Sequence, residues 1–140
     1  MGARRKAREL ALQMLFENDV AGTKADEMFR RSTDLQKAPA ALRDFTERLV
    51  AGTLEHRDDL DAIISKQADN WRLSRMPIVD RNILRLALFE LLHEPSTPHP
   101  VVIDEALEIA KRFSTPRSSQ FINGILDGVL KSRLEEGPRA

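Results

Sequence analysis

The chain has 140 residues, 22 of them basic and 22 acidic, with no cysteine and a single tryptophan. A chain of this length buries roughly 68–70% of its unfolded surface, so it holds together as one ordinary domain without staples. The absence of cysteine excludes a disulfide framework and a thiolate metal site. Zero net charge excludes a protein that coats nucleic acid through a global positive field, and leaves room for a local basic patch.

In chain order, Ala7, Leu10, Ala11, Met14 and Leu15 recur at helical spacing and predict a first helix from about Arg4 to Val20. Its basic start resembles a signal peptide, but Glu9, Gln13 and Glu17 interrupt the apolar stretch behind it. Met28 and Phe29 carry a short helix over Asp26–Arg31, and Thr33–Pro39 reads as a loop. Pro39 suits the first turn of a third helix, where a missing N–H costs nothing. From there Leu42, Phe45, Leu49, Val50, Leu60, Ile63 and Ile64 mark a long helical segment to about Gln67, loosened midway at Gly52 and Thr53. Asp69–Pro77 reads as a hinge.

Ile78–His93 is apolar on more than one face, which predicts a central, buried helix. Asp80, Arg81, Arg85 and Glu90 break it, and it is too short to span a bilayer. Pro95, Pro98 and Pro100 forbid helix in the next loop. A helix from Val101 to Phe113 follows, then a loop over Ser114–Ser119. Ser118 or Ser119 is placed to cap a last helix built on Phe121, Ile122, Ile125, Leu126, Val129 and Leu130, and the tail after Leu134 reads as frayed. No strand pattern emerges. The expectation is an all-α fold of about seven helices, a single domain over residues 1–140 with helical halves of about 1–68 and 69–140.

Chemistry-bearing patterns are sparse. No glycine-rich phosphate loop is present, and no serine has a His and Asp in motif spacing. His56, His93 and His99 lie far apart in sequence and match no zinc spacing, so they read as solvated surface. Asp104 and Glu108 share a helix face, where the macrodipole favours negative charge more simply than catalysis requires it. Asp58, Asp59 and Asp61 read as a solvated acidic face. The predicted protein is not an enzyme, and neither metal nor cofactor is expected.

Two regions stand out. Arg4, Arg5, Lys6 and Arg8 lead straight into a helix, where positive charge opposes the macrodipole. They read either as a solvated turn or as phosphate clamps. The second region is Ser114, Thr115, Arg117, Ser118, Ser119 and Gln120, with Phe121 behind. Hydroxyls and N–H groups at a helix start bind phosphate oxygens. The Phe121 ring either stacks on a splayed base or belongs to the core.

Three stretches, RRKARELALQMLF from Arg4, NWRLSRMPIVDRNILRLALFELL from Asn70 and VVIDEALEIAKRFSTPRSSQFINGILDGVL from Val101, resemble the NusB family in order and spacing. The most specific are Ile103-Asp104-Glu105-Ala106 and Phe121-Ile122-Asn123-Gly124-Ile125-Leu126-Asp127; the segment from about Ala21 to Lys66 matches only in pattern. The resemblance implies two packed antiparallel helical bundles. It implies a cytoplasmic transcription antitermination factor that binds single-stranded boxA RNA together with the ribosomal protein NusE. Such a factor acts within an RNA polymerase antitermination complex and promotes read-through in ribosomal RNA operons.

By resemblance, Arg4, Arg5, Lys6, Arg8 and the segment Ser114–Phe121 contact RNA, with Phe121 stacking. Phe16, Asp80 and Arg81 face NusE. A homodimer is also compatible. Two positions depart from the family's usual pattern: Phe16 stands where Tyr is frequent, and Arg117 where acidic or polar residues are. The alternatives are a domain related to the N-terminal part of ribosomal RNA cytosine methyltransferases, disfavoured by the missing cofactor loop, and a helical interaction module without RNA binding.

Overall fold

A computed structural model describes residues 2–68 and 73–135, with side chains to 133. The described residues form eight α-helices and contain no strand. They are α1 (Ala3–Ala21), α2 (Ala25–Arg31), α3 (Thr33–Lys37), α4 (Ala40–Glu55), α5 (Arg57–Gln67), α6 (Ile78–His93), α7 (His99–Phe113) and α8 (Pro116–Glu135), with a 3-10 turn at Leu73–Arg75. The predicted hinge is therefore described only from Leu73 onward. The tail beyond Glu135 lies outside the described residues, as do Asn70, Trp71 and Arg72 of the second resembling stretch.

The predicted all-α class holds, and several boundaries move for local reasons. Helix α1 stops where Gly22 adopts φ 73°, and the Gly22 N–H bonds back to the Asn18 carbonyl at 2.8 Å. The expected loop at Thr33–Pro39 is mostly helix α3. The Ser32 hydroxyl caps it by accepting the Leu35 N–H at 3.1 Å, and buried Leu35 anchors it. Five residues are too few for periodicity to register.

Pro39 lies one position before α4. The break in the long segment falls at His56, not at Gly52 and Thr53. Gly52 is helical, and a Cβ there would lie 2.1 Å from Cζ of Phe89, so the glycine leaves room for that ring. Helix α7 begins at His99, with Pro100 in its first turn.

Helix α6 is the spindle of the molecule: α1, α4, α5, α7 and α8 all pack on it. It has Leu84 and Leu88 fully buried, with Ile83, Leu86, Ala87 and Phe89 nearly so. Helix α1 runs antiparallel to it, since Arg8 meets Glu90 at one end while Asp19 meets Arg81 at the other. Helix α7 packs on α6 and α8, and α5 packs on α8.

Candidate nucleic-acid interface

The basic turn that opens α1 divides on folding. Lys6 is exposed, and Arg4 is exposed with one Nη donating to the Thr97 hydroxyl at 3.1 Å. The Arg5 guanidinium reaches Glu105 on α7 at 2.7 Å, and that hydrogen bond and charge hold it still more firmly protonated. Arg8 goes inward. It is 4% exposed and meets Glu90, 1% exposed, through two bonds of 2.8 and 2.6 Å. Its expected place among the phosphate clamps does not fit this geometry, because its donors are turned into the core. The first turn of α1 carries no acidic residue and its N-cap makes no side-chain bond, so Arg4, Arg5 and Lys6 crowd a helix end that favours anions.

The second region is helix for most of its length. Pro116 starts α8, which leaves only Ser114 and Thr115 as linker in place of the loop expected over Ser114–Ser119. Thr115 caps the helix by accepting the Ser118 N–H at 3.1 Å; neither Ser118 nor Ser119 is the cap. Arg117 and Gln120 are exposed, Ser119 is buried, and Phe121 is half-buried and packed against the core.

What fixes this junction is Asp80. Both carboxylate oxygens accept hydroxyls, from Ser114 and from Ser118, each at 2.6 Å. Asp80 is 2% exposed. It therefore faces the α7–α8 junction rather than an external partner, a correction to the surface role expected of it. Its first-turn position in α6 aims it there.

Arg81 is likewise engaged. It holds Asp19 through bonds of 2.7 and 2.9 Å, Asn82 and Arg85 join the same carboxylate, and Arg85 grips Asp61 at 2.7 and 3.0 Å. Burial pushes Asp19 up, but the bonds from Arg81 and Asn82 and the charges of Arg85 and Arg81 outweigh it, so the carboxyl sits below its ordinary range. Of the three predicted partner-facing residues, Phe16 alone is an outward ring, 38% exposed.

The two regions occupy opposite ends of α6, marked by Glu90 and Asp80. Ten residues at 1.5 Å each separate them by about 15 Å. Sequence reasoning gave Asp80 a different role and missed Glu90, the acid that organises the other end. Glu90 carried a signal, since a charge inside a run of buried leucines requires a partner; Thr97 and Glu105 carried none.

The three histidines also converge. His56, His93 and His99 line one cleft of about 690 Å³ with Arg133. The rings of His56 and His93 stack at 4.2 Å. Burial, then His56 and Arg133, hold the His93 imidazole below its ordinary value, against Asp59 and Glu55. Among the described residues no group of histidine, aspartate and glutamate side chains is arranged to hold a metal.

The profile of the NusB family matches residues 5–131. The chain belongs to the NusB family. A curated relative from Symbiobacterium thermophilum, transcription antitermination protein NusB, is 46% identical over 137 residues, covering 92% of this chain and 90% of that one. T. maritima NusB superposes with a TM-score of 0.85 at 36% identity, covering 91% of this chain and 90% of its own. A structure of antitermination factors NusB and NusE in complex with dsRNA superposes at 0.84 with 25% identity, covering 93% and 97%. NusB proteins are named as transcription antitermination factors, not as enzymes. No helix among the described residues is long and apolar enough to cross a membrane.

Proposed function

We propose that this NusB-family protein binds single-stranded boxA RNA together with NusE, and that it acts in the cytoplasm within an RNA polymerase antitermination complex to promote read-through of ribosomal RNA operons. The observation that carries the reading is the exposed Arg4 and Lys6, with Arg5 beside them, at an α1 start whose own first turn carries no acidic residue. Such a turn is electrostatically unfavourable alone and favourable against a phosphate chain. Arg4, Arg5 and Lys6 hold the backbone. Across the length of α6, the α8 start presents Arg117 and Gln120, with Phe121 as the ring on which a base stacks. Phe16 offers the apolar contact to NusE.

A NusB relative has been captured with NusE and double-stranded RNA, so strandedness is part of the test. Fluorescence anisotropy of a labelled boxA-type RNA, with and without NusE and across salt concentrations, reads it directly. The expected result is binding that prefers boxA over scrambled RNA, tightens with NusE and is competed poorly by the duplex. Binding blind to sequence and to NusE, or no binding, overturns the proposal and leaves a helical module with another partner.

A further inference from the structure

One aromatic ring gathers three arginines. The guanidinium carbons of Arg4, Arg48 and Arg8 stand 4.4, 5.4 and 5.5 Å from the centroid of Phe45 on α4. Phe45 is itself buried, so the ring serves as a platform for cations, not as a stacking face for a base. Arg8 belongs to Glu90. Arg4 and Arg48 remain, flanking a cleft of about 360 Å³ lined also by Ala3, Ala41, Leu42 and Asp44.

The two outer arginines are lightly held. Arg4 bonds to a neutral hydroxyl, that of Thr97, and makes no ion pair among the described residues. Arg48, 52% exposed, pairs with Glu94 at 3.1 Å through a single bond. Glu94 is less open, 13% exposed, but a single-bond pair with one partner this exposed contributes about 0–1 kcal/mol and exchanges for a better anion. Both acceptors sit in the α6–α7 connection, so one short segment holds both guanidinium groups beside the cleft. The Phe45 ring restrains them together, which lowers the ordering cost of using both at once. Asp44 lines the same cleft and disfavours an anion close to its own carboxylate.

We propose that Arg48 and Arg4 form a phosphate subsite for single-stranded RNA above Phe45, which carries the RNA track from the α1 start onto α4, and that Glu94 is its built-in competitor. The proposal rests on the RNA reading given above. The phosphate displaces Glu94 from Arg48 and the Thr97 hydroxyl from Arg4.

The test uses the full chain, NusE and a labelled boxA-type RNA, titrated at several salt concentrations. Losing one phosphate contact lowers the slope of log affinity on log salt by about 0.7, which is about fivefold in affinity near 0.1 M salt. Arg48→Ala is expected to show both, and Arg48→Lys to recover much of the affinity. Glu94→Gln is expected to tighten binding about twofold, because it frees the arginine. Opposite signs for Arg48→Ala and Glu94→Gln separate an RNA contact from an ion pair that only supports the fold, since loss of such a support acts in the same direction from either side. Wild-type binding with Arg48→Ala unchanged in affinity and slope overturns the subsite and leaves the RNA reading standing. Weakening by both variants, with thermal unfolding lowered to match, also overturns it. Failure of the wild-type protein to bind any RNA overturns both readings.

Discussion

The two ends of helix α6 each bury a carboxylate and hold it in different ways. Glu90 meets the guanidinium of Arg8 in a two-bond pair closed off from water. Asp80 meets only neutral donors, the hydroxyls of Ser114 and Ser118, at the N-terminus of its own helix. A buried ion pair is hard to leave, because removing either partner strands a charge. The serine hydroxyls are only half-buried and regain water when the bonds break, so the cost falls on the Asp80 carboxylate alone, where the other end strands a charge on either side. The Glu90 end is therefore built for rigidity, and the Asp80 end positions a junction that can adjust when something binds there.

The largest effect that tests this contrast is Glu90→Ala. It leaves Arg8 buried and unpaired and is expected to cost about 3–5 kcal/mol in urea unfolding. The double change Arg8→Met with Glu90→Leu is expected to restore most of it, and a single-variant loss below 1 kcal/mol breaks the contrast at its strong end. Phe121→Ala comes next, with an expected loss of about 1–3 kcal/mol in RNA affinity and a reduced preference for boxA over scrambled RNA. Unchanged affinity and preference return Phe121 to a core role alone. Asp80→Ala is expected to lower folding stability by about 1–3 kcal/mol, less than Glu90→Ala, while reducing the same preference that Phe121→Ala reduces. If its stability loss matches that of Glu90→Ala, the two ends are alike after all.

The smallest effect is on pH. Asp19 lies below its ordinary range in the folded chain, so its stabilisation is full above about pH 4 and is lost as pH falls through that value and lower. His93 is also lowered, and the sign of its contribution runs the same way. Below about pH 6.5 the unfolded chain takes up a proton that the folded one resists, so stability falls. His93→Gln is expected to flatten the stability profile between neutral pH and about pH 5.5 without touching the acid limb set by Asp19.

The helices were legible where an apolar stripe was long, and α6 was read to the residue. Short α3 was not, because a single buried leucine and a serine cap make no period. In sequence the Ser114–Ser119 segment, with Pro116 inside it, reads as loop; Pro116 is instead the first helical residue, a position that suits its missing N–H.

At the site, the sequence marks the two stretches and does not say which way each side chain turns. Arg8 shares a helix face with Arg4 but lies one turn farther along, which carries it to Glu90 while Arg4 reaches Thr97. Asp80 and Arg81 looked like surface charges beside each other, yet one reaches back to two serines and the other across to Asp19. Such pairings span 34 to 82 residues of chain, a distance over which periodicity carries no information.

Helix α6 also acts as a timing shaft. Each added residue turns everything beyond it by about 100° and advances it by about 1.5 Å. Insert one alanine between Asp80 and Glu90, and the two acids can no longer face the α7–α8 junction and α1 together. One of them must lose its partners, or the helix must bulge to absorb the extra residue. The spacing of ten residues between those acids is thus a phase setting, and a change in it disturbs the basic turn and the α8 start together, although no residue of either has been altered.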